Sequence, residues 1–268
     1  MNRYIYILLG LMLCGVLAGC GEAESRARIS KAEREARRKA DSAALKIGVM
    51  PTEDCLPILV AKEKRLFDTL GVDVRLRKYH ALSECREALE KKRVEGAVID
   101  STLMKELKDK GQNLEGAMST NLTWKFLTAR KSRITRLAQL SDKFIAADSH
   151  GDSHVLASKA IDSLVMKKKM HIFIIQVEDP AVRLDMLTNG NIDAALLPEP
   201  FATIAQKRGA RWIKEVKSSP RGVLAMRSEA LKHKTRQQQL SLFKKAIGMA
   251  NDSIRRFGRE KYSELLNY

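Results

Sequence analysis

The stretch Leu45-Lys46-Ile47-Gly48-Val49-Met50 decides the fold, because a short apolar run followed by a polar, proline-containing loop is typical of a buried strand. Residues 58–69 then carry apolar side chains at helical spacing, and Gly71 follows where a left-handed helix C-cap prefers glycine. The alternating run Val72-Asp73-Val74-Arg75-Leu76 predicts a second strand. A strand, a helix and a strand in this order indicate a parallel open sheet.

The same order of elements continues and then repeats. Residues 83–92 predict a helix with Ser83 as its N-cap, and residues 96–100 predict a strand that is buried on both faces. A second unit is predicted from the strand 143–147, the helix 153–168, the strand 171–177, the helix 181–189 and the strand 193–197. We therefore expect an α/β fold of two lobes, each a mostly parallel open sheet flanked by helices.

The predicted helix over residues 236–268 is expected to pack back on the first unit. Lobe I then comprises residues 45–120 and 223–268, and lobe II comprises residues 121–222. Ligands of open α/β sheets bind beyond the carboxyl ends of the strands, so two such edges that face each other predict a ligand cleft between the lobes.

The N-terminus has the pattern of a bacterial lipoprotein signal. Arg3 precedes a largely apolar run over residues 5–17, and Ala18-Gly19-Cys20 resembles the lipobox, in which the Cys is acylated and becomes the new N-terminus. The run is shorter than the roughly 20 residues that span a bilayer. We predict a signal peptide over residues 1–19, lipidated Cys20 and a charged stalk over residues 20–44. The alternative is an ordinary signal peptide, or a short membrane anchor, with an incidental cysteine.

The 268-residue chain carries 49 Lys and Arg against 32 Asp and Glu, a formal charge of +17. A cytosolic chain of this charge suggests nucleic acid as a partner, but the predicted export argues against it. The charge suits anionic lipid headgroups or an anionic ligand, or it is a solvated surface without a partner.

Two cysteines remain in the predicted body of the protein. Cys55 lies in the loop after the first strand, and Cys85 lies in the first turn of the helix after the second strand. Neighbouring parallel strands bring these positions to one sheet edge, and an oxidising compartment permits a bridge. We expect a disulfide between Cys55 and Cys85. The alternative is two independent, small apolar cysteines.

At this point the chain resembles the type 2 periplasmic solute-binding proteins, and within them the nitrate, sulfonate, bicarbonate and thiamine-pyrimidine-precursor branch. The likeness is carried by residues 45–49, 56–67, 71–74, 126–130 and 191–201. It implies two hinged lobes that close over one small molecule and deliver it to the permease and ATPase of an ABC importer. A lipid-anchored monomer on the extracytoplasmic face of a membrane is implied, with no cofactor, no resident metal and no catalysis. Two stretches depart from the family pattern, Arg93-Val94-Glu95-Gly96 and Leu197-Pro198.

Candidate ligand residues follow the predicted strands or lie where the chain first crosses between lobes. They are Thr52, Glu53, Asp54, Ser101, Thr102, Asn121, Thr123, Ser149, His150, Asp152, Ser153 and Glu199. The loop over residues 149–153 opens a helix, whose free N–H groups suit a carboxylate, sulfonate or phosphate, although Asp152 or Ser153 could simply cap that helix. The carboxylates suit a ligand with a donor or cationic group, such as an aminopyrimidine or an amine, and these local residues outweigh the distant surface charge, which salt screens.

Other readings stay open at this stage. His150 and His154 with Asp148 and Asp152 suggest a metal site. Related folds also serve in pyrimidine and menaquinone precursor synthesis, and an enzyme on this scaffold would need His150 as its catalytic group. A third alternative is a ligand sensor or an envelope-complex subunit.

Overall fold

The computed structural model describes residues 31–168, 171–218 and 222–267. The chain forms two compact units, residues 1–44 and residues 45–268. The described part of the first unit is one charged helix, α1 (Lys31–Ala43). The predicted signal peptide, Cys20 and the start of the stalk lie outside the described residues. In the ranges given above, no helix has the length and apolar character that a membrane crossing requires.

The second unit alternates short strands and helices. Its strands are β1 (Leu45–Val49), β2 (Val74–Lys78), β3 (Gly96–Asp100), β4 (Leu114–Thr120), β5 (Trp124–Thr128), β6 (Lys143–Ala147), β7 (Ile172–Gln176), β8 (Ala194–Pro198), β9 (Arg211–Trp212) and β10 (Gly222–Arg227). Its helices are α2 (Leu56–Glu63), α3 (Leu66–Thr69), α4 (Leu82–Glu90), α5 (Ser101–Asp109), α6 (Gly151–Lys168), α7 (Pro180–Asn189), α8 (Phe201–Lys207), α9 (Ser228–Leu231) and α10 (Lys234–Phe257).

The strands form two five-stranded sheets, which define lobe I and lobe II in the description that follows. The sheet of lobe I has the order β2-β1-β3-β10-β4, and that of lobe II has the order β7-β6-β8-β5-β9. In lobe I, β1 is parallel to β2 and β3, while β10 is antiparallel to β3 and β4. In lobe II, β6 is parallel to β7 and β8, while β5 is antiparallel to β8 and β9. The predicted α/β fold of two open sheets flanked by helices is confirmed, but each sheet is mixed rather than mostly parallel, because β10 and β5 each make two antiparallel pairings.

Each sheet is covered by apolar side chains on both faces, which explains the continuous apolar strands of the sequence. In lobe I, alternate residues of β1 pack under α2, α3 and α10, where the rings of Phe67 and Phe243 stack with centroids 5.4 Å apart. The opposite face packs against α4 and α5 through Leu89 and Leu103. Lobe II has the same arrangement, with a separate core on each face of its sheet.

Three local predictions differ from the structure. The helix predicted over residues 58–69 is two helices, because Arg65 adopts a left-handed conformation with φ 54° between them. Ser83 is not an N-cap; α4 begins one residue earlier, and the Glu84 side chain accepts hydrogen bonds from the N–H groups of His80 and Ala81. Strands β4, β5, β9 and β10 were not among the predicted strands, although Val223-Leu224-Ala225-Met226 in β10 is an apolar run of strand length.

The predicted disulfide is also wrong, because both cysteines are free thiols. Cys55 packs with the core under α2 and α10, and its Sγ accepts a hydrogen bond from the Met50 N–H. Cys85 packs in the other core of lobe I, with α4 and α5. Burial raises the pKa of both thiols, so each behaves as the small apolar residue of the alternative reading.

Candidate functional site

The two lobes meet at the carboxyl ends of β3 and β6, where the N-termini of α5 and α6 face each other. The carboxylate of Asp100 caps α5 by accepting the Leu103 N–H at 2.7 Å, and it also accepts the Asp152 N–H of lobe II at 3.0 Å. The Thr102 hydroxyl donates to the Asp152 carboxylate. We call these bonds of Asp100, Thr102 and Asp152, together with those of Glu106 described next, the interlobe contact.

Glu106 of α5 completes the interlobe contact. Its Oε1 accepts the Gly151 N–H at 3.2 Å, and its Oε2 lies 3.1 Å from Nδ1 of His150. Gly151 adopts φ +77°, and an added Cβ would lie 2.5 Å from Oδ2 of Asp100. Glycine is therefore needed at this position for both its conformation and its close approach to lobe I.

Burial gives the interlobe contact an unusual charge state. Burial raises the pKa of Asp100 to about 7; the hydrogen bond from Leu103 opposes this shift, and the neighbouring Asp152 carboxylate adds to it. A carboxyl that is near half protonation at neutral pH thus lies at the centre of the contact between the lobes.

The loop of lobe II that reaches lobe I is held from behind by a buried ion pair. Arg183 is 0% exposed; its Nη2 lies 3.1 Å from Oδ1 of Asp148, and its Nη1 donates to the Leu196 carbonyl at 2.8 Å. Ser153 donates its hydroxyl to Asp148 and accepts the Asp148 N–H at 2.9 Å. Burial raises the pKa of Asp148, and the Arg183 guanidinium opposes the shift. The Arg183 guanidinium also lies 5.3 Å from the ring centroid of Trp124.

A cavity of about 540 Å³ lies beside the first chain crossing between the lobes. Residues of both lobes line it, from the loop before α2, the end of β4, the crossing itself, β5, α8 and the C-terminal part of α10. We call it the hinge cavity. Its volume is within the range of sites for small organic molecules, roughly 300–1,000 Å³.

Two of the three carboxylates that line the hinge cavity are neutralised by a base. Nη1 of Arg259 lies 3.1 Å from Oε2 of Glu53, and Lys125 donates to the Glu199 carboxylate, which also accepts the Thr203 N–H at 3.0 Å. Burial opposes the shift, but the hydrogen bonds from Lys125 and Thr203 lower the pKa of Glu199 below its usual value. Burial raises the pKa of Glu53, against the effect of Arg259.

Asp54 is the third carboxylate, and it has no cation beside it among the residues that line the cavity. It is 8% exposed. Its Oδ2 accepts the Thr120 hydroxyl at 3.0 Å, while its Oδ1 is enclosed by the protein next to the Thr52 hydroxyl. Burial raises the pKa of Asp54, and the hydroxyls of Thr52 and Thr120 oppose the shift.

The predicted ligand residues divide into two groups. Glu53, Asp54, Asn121, Thr123 and Glu199 line the hinge cavity, where the Glu53 N–H donates to the Glu199 carbonyl at 2.9 Å. A second group makes or supports the contact between the lobes, namely Thr102, His150, Asp152 and Ser153.

The three remaining candidates belong to neither group. Thr52 is buried beside Asp54, Ser101 is exposed at the start of α5, and the Ser149 N–H donates to Glu178 at 2.9 Å.

Sequence reasoning missed several residues of the site. Lys125 and Arg259 supply the cations of the hinge cavity. Thr120 bonds to Asp54, and Arg183 bonds to Asp148. Lys125 could have been predicted as a site residue, because it lies two positions after the crossing residue Thr123. Arg259 could not, because it lies near the far end of the chain. Among the described residues, no group of three or more His, Cys, Asp or Glu is placed to hold a metal ion.

The fold is similar to that of solved binding components of ABC importers. The ligand-binding component of an ABC-type import system from Staphylococcus aureus, solved with zinc bound, is 17% identical with a TM-score of 0.67, and the match covers 84% of this chain and 78% of that one. The alkanesulfonate-binding protein SsuA from Xanthomonas axonopodis pv. citri, bound to MOPS, is 18% identical with a TM-score of 0.65, over 84% and 78% of the two chains. The periplasmic nitrate-binding protein NrtA from Synechocystis PCC 6803 is 16% identical with a TM-score of 0.63, over 78% and 61%.

These likenesses confirm the fold that the resemblance inferred from the sequence implies. A search of curated proteins gives no match. The sequence model of the NMT1-like family matches residues 38–259, which include both sheets and all of α10. The chain therefore belongs to the NMT1-like family.

Proposed function

We propose that this chain is the substrate-binding protein of an ABC importer, which captures a small organic solute between its lobes and delivers it to the permease and ATPase. The observation that carries the proposal is the hinge cavity, because residues of both lobes line it beside a chain crossing. The membership of the NMT1-like family and the likeness to importer components support the same function.

Capture requires the lobes to move, and the chain crossings are where such motion is absorbed. We propose that residues 45–120 and 223–268 move as one body and residues 121–222 as the other. The interlobe contact would form on closure and break on opening. Hinged closure around a ligand is a common transition in two-lobed binding proteins.

We also propose that acylated Cys20 tethers the protein to the extracytoplasmic face of a membrane. The support is the sequence Ala18-Gly19-Cys20 at the end of the apolar run. The Cys20→Ser variant should lose partition into a detergent phase, and its N-terminal peptide should lose the mass of the lipid. The Cys14→Ser variant is the matched control and should partition as the unsubstituted chain does. Equal partition of all three chains would refute the tether.

Solute capture is tested by purifying the full chain in detergent without an unfolding step and recording its mass under native conditions. Thr203→Trp should fill the hinge cavity, since Thr203 lines it. Lys207→Trp adds the same ring one turn further along α8, at an exposed residue, and serves as the control. We expect a carried molecule on the unsubstituted chain and the control, and none on Thr203→Trp.

The same samples give a thermal readout once the carried molecule has been removed and returned. A ligand at 100 times its dissociation constant stabilises a protein by about 2.7 kcal/mol, which raises the melting temperature by several degrees. Thr203→Trp should show no such rise. Equal occupancy and equal stabilisation of both Trp variants would contradict capture in the hinge cavity. Turnover of the carried molecule would instead favour the enzyme alternative.

A further inference from the structure

We propose that the hinge cavity selects a cationic ligand with N–H donors on an apolar body, and that Asp54 is its counter-ion. The inference rests on the proposed capture of a solute and names the chemical class of that solute. It sets this chain apart from the similar proteins described as binding alkanesulfonate or nitrate.

Three carboxylates and two bases line the cavity, so one carboxylate has no base to pair with. Glu53 is paired with Arg259, and Glu199 is paired with Lys125. An anionic ligand would have to break one of these pairs, and it would meet Asp54 as a like charge. A cation needs neither change, because Asp54 is the lining carboxylate without a base beside it.

Asp54 lacks a charged partner rather than hydrogen bonds. Its Oδ2 accepts the Thr120 hydroxyl at 3.0 Å, and hydrogen bonds from the Thr52 hydroxyl and from backbone N–H groups oppose the rise of its pKa, while its Oδ1 is enclosed by the protein. A cationic group in the cavity would supply the missing opposite charge, because the attraction between charges does not require contact with the enclosed oxygen.

The interlobe contact is also rich in buried carboxyl groups. Asp100, Asp148 and Asp152 are all at most 5% exposed, and Arg183 pairs with Asp148. The surface of the chain is strongly basic overall, but screening at physiological salt removes surface charge beyond about 8 Å. Buried carboxylates therefore decide the local field inside the cleft.

Apolar side chains define the rest of the ligand. Five apolar residues also line the cavity, namely Leu56, Ile58, Met118, Ile247 and Ile254. This apolar lining suits a flat or aliphatic body rather than a fully hydrated ion. A ligand with one charged, donor-bearing end and one apolar end fits both sets of residues.

Three probes of nearly equal shape test the charge alone: benzamidinium, benzamide and benzoate carry charges of +1, 0 and −1. Titration calorimetry on the full chain in detergent near neutral pH should show benzamidinium binding at least about tenfold more tightly than benzamide, with benzoate the weakest. Equal affinities, or tighter binding of benzoate, would overturn the proposal.

Two variants separate Asp54 from general charge. Asp54→Asn keeps an oxygen for the Thr120 hydroxyl and should lose the preference for benzamidinium over benzamide, a change of about tenfold or more. Asp68→Asn removes an exposed carboxylate of α3 that pairs with Arg65, and it should keep the preference. Benzamidinium should also bind more weakly as the pH is lowered, since burial raises the pKa of Asp54 and protonation removes the counter-ion. Unchanged selectivity in Asp54→Asn would refute its role.

The molecule carried through native purification gives an independent arm. A cation released from the protein supports the proposal, whereas an anion or a neutral molecule overturns it and leaves solute capture standing. No carried molecule, together with no binding of any of the three probes, would overturn solute capture itself and the inference with it.

Discussion

Asp100 at the interlobe contact and Asp54 at the hinge cavity are both buried aspartates that follow strands of the same sheet. Asp100 accepts one hydrogen bond from its own helix and one from the opposite lobe, whereas Asp54 accepts the Thr120 hydroxyl of its own lobe and has no cation beside it among the residues that line the cavity. The difference teaches that residue type and position beyond a strand do not define a ligand site. What distinguishes the two is whether the protein itself already supplies the partner.

Among the substitutions near the interlobe contact, loss of Arg183 should lower the free energy of unfolding most. Arg183→Met leaves Asp148 buried without its cation, so we expect a loss of about 3–5 kcal/mol in the free energy of unfolding. Urea denaturation measures it. The exposed pair of Arg208 with Asp185, 3.4 Å apart, is the control, and Arg208→Met should cost at most about 1 kcal/mol. Equal costs would mean that Arg183 does not anchor the loop that reaches lobe I.

Gly151→Ala should separate the lobes. The new Cβ would lie 2.5 Å from Oδ2 of Asp100 and 3.0 Å from Leu82, and φ of +77° is strained for alanine, so we expect a cost of about 2–4 kcal/mol. Small-angle scattering should show a larger radius of gyration. Gly111→Ala has a similar φ of +87° but nothing within 4 Å of its added Cβ, and it should cost only about 1 kcal/mol without expansion. An unexpanded Gly151→Ala would contradict the described closeness of the lobes.

Asp100→Asn should change how stability depends on pH. The folded chain binds a proton at Asp100 up to about pH 7, while the unfolded chain releases it near the usual value of 3.8, so stability falls as pH rises through this window. We expect the fall to be roughly 1–3 kcal/mol smaller in Asp100→Asn, measured by urea denaturation at several pH values. Asp179→Asn, which changes the less buried N-cap of α7, should leave the slope as it is. Identical slopes in all three chains would remove Asp100 from the pH response.

Glu106→Gln tests the weakest part of the interlobe contact. The amide can still accept the Gly151 N–H but gives up its charge beside His150, and both side chains are about one-third exposed, so we expect a loss of only about 0.5–1 kcal/mol. Glu63→Gln, on the exposed side of α2, should have no measurable effect. A cost as large as that of Gly151→Ala would move the centre of the contact from Asp100 to Glu106.

The sequence predicted most of the elements because strands β1, β3 and β8 are short apolar runs bounded by turns. It missed β10, whose pairing with β3 and β4 depends on residues more than a hundred positions away. Ser83 was misplaced because the capping side chain is Glu84, which reaches back to two backbone N–H groups. Local propensity does not contain these non-local or reciprocal bonds.

The site was harder to predict than the fold, because it depends on which partners the protein supplies to each carboxyl group, as Asp54 and Asp100 show. The rule that ligands bind beyond the carboxyl ends of strands predicted the regions around both aspartates. It could not predict that Asp152 bonds to Asp100. Nor could it predict that Lys125 neutralises Glu199 or that Arg259 neutralises Glu53. The predicted disulfide failed for a similar reason, since the two cysteines lie in different cores. The folded structure decides which side chains pair, and the order of residues along the chain does not show it.

The position of β10 in its sheet has a consequence for how the protein is made. The strands of lobe II follow one another from Trp124 to Trp212, so that lobe can fold as soon as its own residues have left the ribosome. The other lobe must wait for Gly222–Arg227 to enter between β3 and β4, which until then keep bare edges. We therefore expect lobe I to complete its sheet only after lobe II has folded.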